Sequence, residues 1–356
     1  MLHLPRQLTV PTAQEELSAV TNTSRTSTSQ TKTSPATTAW FSELDKLNKI
    51  LKPRPEDTES MQNLIKIALI QAGIPQTHKQ SNRFKFKDFT QSENLSKDNT
   101  NHGGASVDLI FEVFSRADLY AANIPHDVDP EMPNIIAKVW CLLKIFFCFV
   151  NRTWAIKWAL DCKVDIIAIP MGVHTISPDL HDAVYEAADK HVLIFASATT
   201  GQGGFDRQIP YPARLRKVFC IFATDGNGMI SNFNPPPRPS TLNFAILGES
   251  VKLPQWKEPI SGTFVSTAIA TGLCAALLEF AHQRDPLAVI GKEGLRCMHS
   301  MEGMMNVFFL MSRRENGYAC LVPWDLIPSD VTIIDTPRLT ISREISMALR
   351  RTDSYR

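Results

Sequence analysis

An α/β fold with a mostly parallel central sheet flanked by helices is predicted by two observations. Short, largely apolar runs, most of them with β-branched residues, recur at Leu64–Ile70, Ala117–Ala122, Val164–Ile169, His191–Ala196 and Val218–Ala223. Runs of this kind suit strands buried on both faces, and the helical stretches between them suit βαβ crossovers. The other observation is the stretch Thr263–His282, a run of mostly small and apolar residues at helical length, with Ala268, Ala270, Gly272 and Ala275 allowing a helix to lie close to its neighbours.

In chain order, residues 1–60 read as a disordered leader followed by a short helix. Ser and Thr dominate from about Thr21 to Thr38, a composition that buries too little apolar surface to offset ordering entropy. Trp40–Leu51 spaces its apolar residues as an amphipathic helix, which Pro53 and Pro55 end. Residues 61–328 form the globular domain. Its first strand exits through Gln71-Ala72-Gly73, a polar stretch follows, and Asn101-His102-Gly103-Gly104 opens into a helix expected over Ser106–Phe114. Helices over Trp154–Cys162 and Leu180–Lys190 precede the third and fourth strands. Gly226–Val251, rich in Pro, Asn and Gly, reads as surface loops with short strands, and Met301–Met311 as a helical run. Residues 329–356 read as a polar, basic, solvated tail.

The chain has 356 residues, 44% apolar and 21% charged, with a net charge of +1, so nothing in its charge favours a nucleic-acid partner. Seven scattered cysteines read as reduced, mostly buried thiols, and the N-terminus has no apolar core of a signal peptide. An intracellular, cytoplasmic protein is expected, with chance sequons at Asn22, Asn94 and Asn151. Gly201-Gln202-Gly203-Gly204 lacks the lysine of a phosphate loop and the spacing of a dinucleotide turn. His174, His181 and His191, with Asp179 and Asp182, fit no metal-ligand spacing. No cofactor and no metal are expected.

One segment disagrees with its surroundings. Val139–Val150 is strongly apolar with Lys144 in its middle, yet shorter than the roughly 20 residues of a membrane span. It reads as an extra buried or interfacial helix. Removing 139–152 would join Asn134–Lys138 to Thr153–Lys157 as one continuous helix, which motivates the hypothesis of an insertion or in-frame translated intron. Sequencing the transcript tests it: a dominant message with no junction near Lys138, in homologous copies that keep the segment, would reject it.

Several stretches, in order, resemble the subtilisin-like serine peptidases (subtilases), most closely the intracellular-type domains of filamentous fungi. Ile67–Ile74 is similar to the strand and turn that carry the triad aspartate, and His102-Gly103-Gly104-Ala105 to the motif of the triad histidine. Val164–Gly172 resembles the substrate-pairing strand, while Tyr211-Pro212-Ala213 and Ala223–Gly228 resemble the later core. Ser261-Gly262-Thr263-Phe264 resembles the nucleophile turn and the start of the buried helix. The resemblance spans Ile65–Leu326 and implies the family's three-layer fold and serine endopeptidase ancestry.

It also implies a degenerate site. A serine peptidase needs a nucleophile, a base, a carboxylate that orients the base, and donors for the oxyanion. His102 stands at the base position, either as a working imidazole or as a histidine whose partners are gone. Gln71 stands at the aspartate position, where its amide oxygen could hydrogen-bond an imidazole but supplies no charge. Phe264 stands at the serine position and is expected to plug the specificity pocket. Thr199, or Thr200, stands at the oxyanion asparagine. Pro170 replaces a serine of the substrate-pairing strand and removes a backbone donor. Ser261, Thr263 and Ser266 are near the turn, but Ser266 lies about 200° round the helix from Phe264. The expected function is a pseudopeptidase that binds peptides or protein segments in its former cleft. The alternatives are an active endopeptidase using His102 as base, and a degenerate or mis-spliced gene product.

Overall fold

The structure is a computed structural model that describes residues 34–60, 64–76, 78–90, 102–125, 151–174, 176–199, 208–239, 241–327 and 337–350. The segment Val139–Val150, Thr200 and the Gly201–Gly204 loop lie outside the described residues.

The β-branched runs form a nine-stranded sheet. Its strands are β1 Lys66–Gln71, β2 Phe84–Asp88, β3 Asp118–Asn123, β4 Ile166–Ile169, β5 Leu193–Ser197, β6 Phe219–Thr224, β7 Phe244–Leu247, β8 Ser312–Glu315 and β9 Tyr318–Leu321. Their order is β2-β3-β1-β4-β5-β6-β7-β9-β8. The pairing is parallel except between β8 and β9. The helices are α1 Pro35–Leu51, α2 Pro55–Ser60, α3 His102–Val113, α4 over residues 151–161, α5 Pro178–Asp189, α6 Thr263–His282, α7 Arg284–Met298, α8 Met301–Leu310 and α9 Pro337–Arg350.

Strand alternation sorts the core into two layers. Ile67, Leu69, Leu119, Ile166, Phe195, Phe219 and Ile246 face α1, α3, α6, α8 and α9. Ala68, Ile70, Ala122, Ile167, Ile194 and Phe222 face α4 and α5. Both faces are therefore covered, as a parallel sheet requires. α6 passes the length and apolarity test for a membrane span, yet all of that stretch is buried inside the protein.

Four expectations are corrected. The leader was expected to reach the short helix, but α1 begins at Pro35 and buries Trp40, Leu44, Leu47 and Leu51 in the main core. The tail contains α9, which places Ile341, Ile345 and Leu349 in the same core. Its arginines interleave with an i, i+4 apolar stripe, so overall polarity conceals the amphipathic period. The polar stretch after the first strand includes β2, in which Phe84 is buried beside exposed Lys85 at the sheet's edge. Charge on an edge strand guards it from further pairing, so a composition that reads as loop is also that of an edge. Finally, β8 and β9 form a hairpin around Asn316-Gly317, both with positive φ (48° and 87°). Asn-Gly is a direct signal for such a turn, missed in the sequence.

Arg338 ties the two ends of the described fold together. Its guanidinium donates to the carbonyl of Ile50 at 2.7 Å, to that of Lys52 at 3.0 Å and to the side-chain oxygen of Gln283. It also lies 5.2 Å from the Phe280 ring. The end of α1 is thereby fastened to the end of α6 through α9. Arg338→Met should lower the urea midpoint by the equivalent of about 2–3 kcal/mol, the cost of charge-assisted hydrogen bonds left unmade. An unchanged midpoint would show that the tie carries no net energy.

Candidate active site

The candidate residues gather where β1, β4 and β5 end and α6 begins. β1 finishes at Gln71, and the chain turns through Gly73 at φ 72°. The first turn of α3 sits directly on that turn: a Cβ at Gly103 would lie 2.5 Å from the Gly73 carbonyl carbon and 2.6 Å from the Ile74 nitrogen. This close approach, possible only with glycine at 103, brings His102 to the end of β1.

Phe264 meets His102 from the other side. The two rings have centroids 4.3 Å apart and planes inclined by 32°. Phe264 is 4% exposed. Gly262, at φ 152°, leaves room for the ring, since a Cβ there would come within 2.7 Å of Phe264 Cδ1 and Cε1. The aromatic ring therefore covers the imidazole, and the expected place for Phe264, a specificity pocket, gives way to one against His102.

Gln71 does not take the aspartate's role. It is 3% exposed, and its side-chain oxygen has no hydrogen-bond partner among the described residues. The expected bond from an imidazole to the Gln71 amide oxygen is thus absent. A neighbouring carboxylate does not replace it. Asp88 is in register with Asn123 on β3, which is in turn opposite Gln71, so Asp88 stands two strands away, about 10 Å. Its Oδ1 accepts from Thr90 N at 2.9 Å and from Asn123 Nδ2 at 3.2 Å. Asn123 Oδ1 accepts from Ile74 N at 3.2 Å and so props the turn beneath His102. Asn123 was missed in the sequence because its partners are far from it along the chain.

Four hydroxyls near the turn into α6 are engaged. Thr199 Oγ1 and Thr263 Oγ1 are 2.7 Å apart, and Thr199 N donates to Thr263 Oγ1 at 3.2 Å. Thr199, one of the two residues expected at the oxyanion position, is therefore bonded to the first residue of α6. Ser266 Oγ donates to the Ile246 carbonyl at 3.0 Å, within the core. Gly248 makes room for it, since a Cβ there would fall 1.9 Å from Ser266 Oγ. Ser261 Oγ accepts from Ser250 N at 2.8 Å. Beyond β4, Val173 exchanges both backbone hydrogen bonds with Tyr211, N to O at 2.8 Å and 2.7 Å. Pro170, just before, offers no donor.

The other histidines are scattered. His181 stacks on Tyr185 with centroids 4.5 Å apart and lies 3.2 Å from Asp182 on the surface of α5. No group of three or more His, Cys, Asp or Glu side chains that could hold a metal is found among the described residues.

With this geometry in view, the comparisons with known proteins are informative. No family model matches the chain. It is 29% identical over 134 residues to the minor extracellular protease Epr of Bacillus subtilis, covering 37% of this chain and 20% of that one. It is 24% identical over 238 residues to the subtilisin-like protease het-Q2 of Podospora anserina, covering 61% of this chain and 60% of that one. In both cases the match spans less than two thirds of the relative's length. The structure of the prenylagaramide maturation protease PagA shares the fold, with a TM-score of 0.54 at 16% identity over 86% of this chain and 98% of that one.

An unpaired buried amide oxygen costs about 1–3 kcal/mol. Gln71→Met, which keeps the length and removes the polar atoms, should therefore leave the urea midpoint unchanged or raise it. A clear drop would mean that the amide has a partner the described geometry does not include.

Proposed function

We propose, since this chain belongs to the subtilisin-like peptidase family, that it is a non-catalytic member which binds peptides or protein segments in the family's cleft. The observation that carries the inactive half is the Phe264 ring lying 4.3 Å from that of His102. Phenylalanine has no nucleophilic atom, and its ring fills the space in which an attacking oxygen would meet its base. Ser261, Thr263 and Ser266 have hydrogen-bond partners of their own, which argues against a substitute nucleophile. Gln71 brings no charge to stabilise an imidazolium.

The binding half rests on family membership. An intracellular setting is part of the same proposal. Cys220, Cys274 and Cys320 are free buried thiols, as expected of a reducing compartment. Burial pushes the Cys220 thiol up to about 12 and the Cys320 thiol up to about 11, so neither is reactive at neutral pH.

Incubation with a fluorophosphonate probe and a broad peptide library should give no labelling and no cleavage. Labelling that is lost in His102→Ala would overturn the inactive reading. Phe264→Ser alone should remain at least about 10⁴-fold below an intact triad, because the orienting carboxylate is still missing. Removing the ring should also cost about 3–5 kcal/mol of stability, so the variant's folding is checked by circular dichroism before assay. Fluorescence anisotropy with extended peptides from the same library should show saturable binding. If no peptide binds, the second half of the proposal fails while the first stands.

A further inference from the structure

The far end of α6 from the candidate site carries a second group of histidines. His282 is the last residue of α6, and His299 caps the C-terminus of α7. Their rings meet edge to face, with centroids 5.8 Å apart and planes at 85°. The Nδ1 of His282 is 2.8 Å from the Leu278 carbonyl, which can only accept, so this nitrogen carries the proton. The His299 backbone N–H donates to the Arg296 carbonyl at 3.2 Å, while its ring makes no hydrogen bond among the described residues and is held by packing. Beside this corner is a cavity of about 360 Å³ whose lining includes His191, Arg296, Cys297 and Arg350.

We propose that this corner, where α6 and α7 end against each other, is an acid-sensitive hinge: protonation of His299 against His282 loosens α7 and its turn into α8 from the core.

The charges around the pair support this direction. From α6, His282 faces His299; from α7, Arg296 is one turn away and paired with Glu293 at 3.0 Å; from the turn before β5 comes His191; Glu302 of α8 and Arg350 of α9 line the adjoining cavity. The charges that oppose a proton on His299 are those of His282 and His191. Glu279, one turn earlier on α6, is buried and committed to Arg116 at 2.7 Å. The carboxylate acting favourably on His299 is that of Asp165, ahead of β4, whose Oδ2 already accepts from Lys66 N at 2.8 Å. Burial holds His299 below the ordinary histidine range, His282 and His191 lower it further, and Asp165 opposes them in part.

The sign follows from linkage. In the folded state His299 binds its proton more weakly than in the unfolded chain. As pH falls through the ordinary histidine range the unfolded state takes up more protons, and stability falls with it. α7 has its own weak point for the motion, a break in helical geometry at Gly291, φ 77° and ψ 161°. A Cβ at that residue would touch nothing within 4 Å, so the break lies in open space.

The test uses the full chain in urea from about pH 7.5 to about pH 5.5. The unfolding constant at fixed urea should rise severalfold across this range, and His299→Phe, which keeps a ring but cannot be protonated, should abolish most of that rise. His282→Asn should reduce it by removing the second charge, and serves as the readout if His299→Phe does not fold. Hydrogen exchange at the two pH values, corrected for intrinsic rates, should show new opening confined to peptides covering residues 284–300. Equal pH slopes in wild type and either folded variant, or acid-induced opening spread evenly over the sheet, would overturn the proposal.

Discussion

Helix α6 has no side facing water, and the fold is arranged around that fact. From Thr263 to Ala281 every residue is buried. Such a helix offers no polar face, so each of its neighbours has to fit it closely. Gly272 shows how closely: a Cβ there would lie 2.8 Å from Val113 Cβ, so α3 reaches α6 only because residue 272 has no side chain. That contact sets where α3 lies. Gly103 against Gly73 then sets where α3 begins, and His102 follows. The position of the candidate imidazole is thus a result of helix packing and two glycine contacts, with no contribution needed from a catalytic partner.

The same packing explains what could be read from the sequence. The buried strands and α6 were legible because uninterrupted apolar runs leave few alternatives in an α/β chain. Even so, boundaries shifted: Leu64 is exposed outside β1, and His191 occupies a turn at φ 61° ahead of β5. The peripheral elements were hidden by their own solubility. β2 and α9 are half polar because each has one face in water, and α1 follows a Ser/Thr-rich run that masks its start.

At the candidate site, residue identities were legible and their relationships were not. Alignment with motifs placed His102, Gln71, Phe264 and Thr199, and the geometry does bring His102 to Phe264 and Thr199 to the head of α6. Spacing along the chain contains no information on which way a ring folds. It did not show that Phe264 would lie on His102, that Gln71 would leave its oxygen without a partner, or that Thr199 would bond to Thr263. Ser266 was the exception. Its two-residue offset on a helix fixed its direction, and it does point into the core toward Ile246.

A fold that keeps its frame while its chemistry is replaced is physically economical. The groups a serine peptidase needs work against stability: a hydroxyl without a permanent partner, a carboxylate withheld from water, donors reserved for a charge that forms only transiently. On the proposed reading each such demand is relaxed in this chain. The position expected to hold a hydroxyl holds a buried aromatic ring, which gains from its contact with His102. The hydroxyl of Thr199 is satisfied internally by Thr263. Gln71 is left with an unmet atom, and an uncharged amide oxygen is far cheaper to bury than a lone carboxylate. Phe264 itself joins the core cluster that holds Ile67, Phe195, Phe219 and the small residues of the helix. On the proposed reading, the residue that replaces the nucleophile also serves the fold, so chemistry can lapse without loss of the core.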